Sequence, residues 1–309
     1  MGKRKTKKKS IKKKESKRSK RKNKKTLPKF CSPHVENNKK RLNDSCFDRE
    51  ALLKIANSWN EHHSENKINY KSNISSKKLY KMINQKMKSK CNKEFCWVNQ
   101  DFLKDKVNKE EELQVFKPEK PDSWNINNRE WLNTLDIRAV MDQYENKYDD
   151  FLFIGPVPID FDYNLNFGQC VVDELCKINL KKINEDGINR LGVIFNLDKH
   201  NQSGSHWVAM FCSLPKKEIC YWDSYGMKPP NEVTKLMNRL KKQGEDLDLK
   251  MKIKINEHRH QFKGSECGVY CINFIVNLLE GKSFNLVTKK IVDDDKMWKK
   301  RKVFFNYLK

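Results

Sequence analysis

Apolar positions along the chain follow two different periods. Phe47, Leu52, Leu53, Ile55, Ala56 and Trp59 recur at helical spacing, with Asp44 and Ser45 ahead of them as candidate N-caps. Ile74, Leu79, Met82, Ile83 and Met87 repeat that period behind Ser75 or Ser76, and a Gly-free, Asn-rich stretch from His62 to Asn73 joins the two runs. Together they predict a small helical domain over residues 27–114. A connector follows at Glu110–Asn128, marked by Pro118 and Pro121. Beyond it the pattern alternates. Leu191–Leu197 is a short apolar run, as in a buried strand. His206–Leu214 and Glu218–Trp222 flank Pro215, Lys216 and Lys217 and read as a hairpin. Asn231–Gln243 carries Val233, Leu236, Met237 and Leu240 on one stripe, and Met251–Ile255 alternates as a half-buried strand. Cys267–Leu279 is apolar nearly all round, which marks a central helix. Helices and strands in this order predict an α+β domain over residues 115–309.

Charge adds a third segment. The 309 residues hold 65 Lys and Arg against 40 Asp and Glu, a formal charge of +25. Residues 1–25 alone contribute 16 basic residues and one acid, Glu15. Residues 1–26 therefore read as a disordered Lys/Arg-rich tail with affinity for nucleic acid, and as a possible nuclear address. No run of 18 apolar residues exists, which argues against a membrane partner; Val269–Leu279 comes nearest but is short and contains Asn273 and Asn277. The first residues lack the apolar core of a secretory signal. In that setting the ten cysteines read as reduced intracellular thiols. Cys91 and Cys96 have the spacing of a zinc-ligand pair, but no second tight pair accompanies them, so buried thiols are the expectation and no metal is called.

The hairpin carries chemistry. His206 opens one strand and Asp223 closes the next, so the fold about Pro215 returns both to one end of the sheet, opposite within a residue or two. An imidazole beside a carboxylate is the base and orienter of a catalytic triad. Cys267 stands where a loop becomes a helix, bracketed by Gly264 and Gly268. Thiols so placed, near an imidazolium, ionise at roughly pH 3.5 to 7.5 and are ready nucleophiles. Two donors could serve an acyl oxyanion, the Cys267 backbone N–H and the Gln261 side-chain amide. His258 and His260 lie closer to Cys267 in sequence, but their polar surroundings suggest a solvated loop.

In order, His206-Trp207, Asp223, Gln261 and Cys267-Gly268 resemble the Ulp1/adenain group of cysteine proteases, whose nucleophile comes last. Trp131-Leu132-Asn133 resembles the motif that opens the group's domain, and Phe153–Phe161 resembles a segment of its large-DNA-virus branch. The likeness covers about residues 130–279. It implies an Ulp1/adenain-like fold, a mixed sheet with a central nucleophile helix. It implies Cys267 as nucleophile, His206 as base and then acid, Asp223 as orienter, and Gln261 with the Cys267 N–H as oxyanion hole. Trp131 and Trp207 would line a narrow channel that admits glycine-like residues, giving cleavage after Gly-Gly-like sites. The Lys-rich tail and Asn-rich helical extension look most like the thiol proteases of giant amoeba-infecting viruses. That points to processing of structural precursors during virion maturation, in the virion and the host cytoplasm. No cofactor is required on this reading, although DNA or a peptide could activate the enzyme. Two alternatives stand beside it: a protease of ubiquitin-like modifiers, and a nucleic-acid-binding scaffold with an inactive protease domain.

Overall fold

The computed structural model describes residues 27–38, 41–42, 44–91, 93–103 and 115–307. The basic tail of residues 1–26 and residues 104–114, which include the start of the connector, lie outside the described residues.

Two helices dominate the first part, α1 (Arg49–His62) and α2 (Ser76–Met87). Each is capped by a side chain that accepts a backbone N–H, Asp48 from Ala51 in α1 and Ser75 from Lys78 in α2. The α1 cap is thus Asp48 rather than Asp44 or Ser45, because only Asp48 sits one residue ahead of the first turn. A short helix, α3 (Glu94–Trp97), completes the set. Leu52, Ile55, Leu79, Ile83, Met87 and Trp97 close a core of their own, in which Phe116 from beyond the connector also takes part.

The second part is built on a five-stranded sheet with sequential strand order: β1 (Phe151–Pro158), β2 (Arg190–Asn196), β3 (Trp207–Ser213), β4 (Glu218–Trp222) and β5 (Lys252–Ile255). The β1–β2 and β4–β5 pairs are parallel, while β2–β3 and β3–β4 are antiparallel. The β3–β4 hairpin turns at Leu214–Lys217, as its flanking Pro215 suggests. Helices interleave in chain order: α4 (Thr134–Glu145), α5 (Asp173–Cys176), α6 (Leu180–Glu185), α7 (Asn231–Glu245), α8 (Cys267–Leu279), α9 (Phe284–Lys289) and α10 (Asp294–Phe304).

Every residue of β3 is buried, and its side chains alternate between two cores. Trp207, Ala209 and Phe211 face α4, α8 and α10; Val208, Met210 and Cys212 face α7. Burial on both faces explains why this strand reads as a continuous apolar run. Helix α8 lies on β3 with ten of its residues apolar and buried, so its first turn is fixed against the sheet. This is the α+β arrangement of a mixed sheet with a central helix. No helix among the described residues is long and apolar enough to cross a membrane.

The cysteines depart from expectation. Cys31–Cys46, Cys91–Cys96 and Cys170–Cys176 are disulfide-bonded, whereas Cys212, Cys220, Cys267 and Cys271 are free and buried. A reduced-thiol expectation speaks to compartment and not to geometry. The fold brings these pairs to Cα separations of 5.3, 5.6 and 6.3 Å, within disulfide reach.

Candidate active site

His206, just ahead of β3, and Asp223, just after β4, meet at one end of the sheet. The register pairs Ala209 with Trp222, which leaves the two side chains a residue or two out of step and in reach. The His206 Nε2–H donates to Asp223 Oδ1 at 2.8 Å. A carboxylate only accepts, so this contact assigns the proton to Nε2 and leaves Nδ1 for the other side of the ring. Cys267 also lies close enough to the ring to bias its protonation. Burial disfavours the charged ring, yet the hydrogen bonds to Asp223 and Cys267 and their negative charge outweigh it, and the His206 pKa is pushed up to about 9.

Asp223 is held in turn. Its Oδ1 also accepts the Tyr225 backbone N–H at 2.8 Å, and its carbonyl accepts the Asn256 amide at 2.8 Å. The Tyr225 ring stacks on the His206 ring with centroids 4.8 Å apart.

Cys267 is the first residue of α8 and is 1% exposed. Its backbone N–H and the next two have no partner within the helix. The N-cap residue Glu266 does not cap them with its side chain. Its carboxylate turns away to Arg301 of α10, which donates from Nε at 2.9 Å and Nη2 at 3.2 Å. Both side chains of that ion pair are fully buried. The Arg301 Nη2 also donates to the Glu130 carbonyl at 2.6 Å, and the guanidinium lies over the Trp124 ring at 4.4 Å. The start of α8 is thereby tied to α10 and to the segment that leads into α4.

Gln261 is completely buried. Its Oε1 accepts the Ser224 hydroxyl at 2.7 Å, and its Nε2 donates to the Lys263 carbonyl at 2.6 Å. The amide carries two N–H groups, so one donor is left over beyond this fixed frame.

Trp131 and Trp207 line one cleft of about 520 Å³, together with Asn133, Pro156, Val157 and His200. Trp131 is 44% exposed on its rim. Trp207 is buried and donates its indole N–H to the Leu132 carbonyl at 3.0 Å. Cys267 and His206 are not among the lining residues, but Trp207, next to His206 in the chain, and Leu132, which packs on Gly268, are. A Cβ on Gly268 would meet the Leu132 Cβ at 3.1 Å, so α8 starts in close contact with Leu132 and a larger residue there would push Leu132 aside.

Of the six expected positions, His206 and Asp223 are hydrogen-bonded to each other, Gln261 is bonded to Ser224 next to Asp223, Cys267 opens α8, and Trp131 and Trp207 share a cleft. Sequence reasoning missed Ser224, Tyr225, Asn256 and Arg301. The first three are ordinary turn residues in sequence, and Arg301 is hidden in the run Lys299-Lys300-Arg301-Lys302. His260 departs from expectation. It is buried, its Nε2 contacts the Thr288 carbonyl at 2.9 Å, and burial lowers its pKa. Of the rings that enclose it, Trp222 comes from β4, far back in the chain, and Tyr270 from the helix that follows.

A thiol close to an imidazole that a carboxylate orients has the parts for nucleophilic attack on a carbonyl. Comparison with known proteins points the same way. Residues 191–304 match the Ulp1 protease family, C-terminal catalytic domain. The chain is 32% identical over 284 residues to a thiol protease of Acanthamoeba polyphaga mimivirus, covering 85% of this chain and 89% of that one. It is 27% identical over 272 residues to the SUMO-1 cysteine protease of African swine fever virus, covering 82% and 98%. A crystal structure of the African swine fever virus protease shares the fold, with TM-score 0.63 and 22% identity, covering 91% of this chain and 97% of that one. Sequence, fold and kinship agree, and the chain belongs to the Ulp1 protease family of cysteine proteases.

Proposed function

We propose that Cys267, His206 and Asp223 form the catalytic triad of a peptidase that cleaves after Gly-Gly-like sites. The observation that carries this reading is that His206 bonds Asp223 through Nε2 while Cys267, the first residue of α8, is close enough to raise the pKa of the same ring. The His206 ring takes the thiol proton, Cys267 attacks the scissile carbonyl, and the imidazolium then protonates the departing amine. The Cys267 N–H and the spare Gln261 N–H receive the oxyanion, with Ser224 holding the amide in place. Trp131 and Trp207 flank the approach, where a residue without a Cβ passes most easily between indole faces. Peptides with Gly-Gly, Ala-Ala or Val-Val before the scissile bond test this, with products mapped by mass spectrometry. Cleavage of Gly-Gly at least tenfold faster than Ala-Ala is expected, and equal rates would contradict the channel assignment.

The relatives compared above are viral, and on that footing we place the substrates among structural precursors cut during virion maturation, in the particle and the host cytoplasm. One relative is a SUMO-1 protease. Removal of a ubiquitin-like modifier is thus the second reading, and the same peptides set against an intact modifier fusion separate the two.

Charge supports a nucleic-acid partner. Sixteen basic residues in residues 1–25 are joined by Lys77, Lys81 and Lys88, all exposed along α2 or just beyond it. Fluorescence anisotropy with a DNA duplex tests this. Deleting residues 1–25 is expected to weaken binding and flatten its salt dependence, whereas an unchanged salt slope would sink the assignment.

A further inference from the structure

The cleft holding Trp131 and Trp207 takes none of its lining from the loops after β4 and β5. Pro156 and Val157 of β1, Asn196 of β2 and Gly204 ahead of β3 contribute to it, all at the β1–β2 side of the sheet end. A peptide that lays its residues before the scissile bond in that cleft passes over His206 and Cys267. It then leaves toward the loops after β4 and β5. Those loops meet closely. Gly226 has φ +75, and a Cβ there would meet the backbone of His258 and Arg259 at 2.9 and 3.0 Å. The contact brings the Arg259 guanidinium over the Tyr225 ring at 5.3 Å and over the Phe262 ring at 4.8 Å.

This stack is open and fixed in place. Arg259 is exposed, and Phe262 is 64% exposed. The Arg259 Nε donates to the Gln261 carbonyl at 2.8 Å, which anchors the guanidinium and leaves its outer nitrogens free to bond a ligand. The Phe262 and Lys263 backbone N–H groups are held by Asp294 Oδ2. Neighbouring Lys263 is paired with Asp295 at 3.0 Å. Among the described residues, no carboxylate lies within 4.0 Å of the Arg259 guanidinium. Its charge is thus unspent, beside the imidazole that protonates the leaving amine.

We propose that Tyr225, Arg259 and Phe262 form the leaving-group side of the substrate site, and that Arg259 selects an Asp or Glu shortly after the scissile bond. The proposal rests on the triad reading given above. The His206–Tyr225 and Tyr225–Arg259 spacings put the guanidinium within about 10 Å of the imidazole, and an extended chain advances about 3.3 Å per residue. The selected carboxylate therefore belongs to one of the first three residues of the leaving segment. The fork of guanidinium donors matches a carboxylate, and the exposed Phe262 face supports the peptide beside it.

The test uses the full chain and Gly-Gly peptides identical up to the scissile bond. The second and third residues beyond it are both Glu, both Gln or both Lys. Wild type is expected to give kcat/KM about tenfold higher for Glu than for Lys, with Gln between and the ratio shrinking at high salt. In Arg259→Gln the Glu-to-Lys ratio falls to within about twofold, and in Arg259→Glu it inverts. Each ratio is taken within one enzyme, so a general loss of activity does not mimic the effect. Turnover of all three peptides by wild type with a ratio near one would overturn this proposal alone. No turnover of any Gly-Gly peptide would overturn the triad reading and this proposal with it.

Discussion

Cys267→Ala is expected to abolish peptide hydrolysis, by about a million-fold in kcat, and His206→Ala to cost about as much. The reason is that the two groups act as one unit. Without the imidazole the thiol has no proton acceptor, and without the thiol the imidazole has nothing to activate. Cys267→Ala combined with His206→Ala should be no worse than either alone, which initial rates on a Gly-Gly peptide would show. Asp223→Ala is expected to cost less, about ten-thousand-fold, because the ring remains but loses its orientation and its ionic partner. The pH profile distinguishes these roles. With the His206 pKa near about 9, the protonated ring needed by the leaving amine persists to alkaline pH, so kcat/KM should fall only as pH rises through about 9. Removing Asp223 takes away a contact that raises this value, so the alkaline limb should move to lower pH. Stability follows the same sign. The folded pKa lies above the ordinary imidazole value of 6.5, so the stabilisation from this contact is complete below about pH 6.5 and is lost as pH rises through about 9. A full residual rate in Cys267→Ala would remove Cys267 from the mechanism.

Arg301→Met is expected to destabilise the protein by about 3–5 kcal/mol, the usual cost of leaving a buried charge without its partner. Arg301 and Glu266 are fully buried, and nothing else of opposite charge is bonded to the Glu266 carboxylate among the described residues. The effect reaches the site, because Glu266 immediately precedes Cys267 and Arg301 also holds the Glu130 carbonyl next to Trp131. Glu266 and Arg301 are positioning residues. In Arg301→Met the start of α8 loses its tie to α10, and kcat should fall more than KM rises. Glu266→Gln with Arg301→Met removes the orphaned charge and should recover much of the lost stability, as urea midpoints would show. A single Arg301→Met variant within about 1 kcal/mol of wild type would contradict this account.

The reactive half of the site was legible because its geometry is local. A hairpin of known turn position brings its two ends together, so His206 and Asp223 could be paired from sequence spacing alone. The central helix was legible to the residue, since α8 begins where Gly264–Gly268 gives way to an apolar run. Strand β1 was harder to read from periodicity. Gly155 and Pro156 interrupt it, and its register with β2 shifts between Ile154 and Val157. Parallel pairing of β5 with β4 leaves no turn signal, because α7 intervenes. The supporting residues were illegible for a different reason. Ser224, Asn256 and Arg301 gain meaning only through partners 33 to 37 residues away in the chain. The disulfides are likewise tertiary facts, fixed by which loops the fold brings together.

The most direct test of the triad is intact-protein mass spectrometry after treatment with a Gly-Gly peptide bearing a C-terminal vinyl sulfone. Wild type, Cys267→Ala and His206→Ala are compared, each with and without DNA. A single adduct on wild type, absent in Cys267→Ala and weaker in His206→Ala, is the result predicted here. An adduct that survives in Cys267→Ala, or none on wild type under either condition, would contradict the assignment of Cys267 as the nucleophile of a Gly-Gly-directed protease.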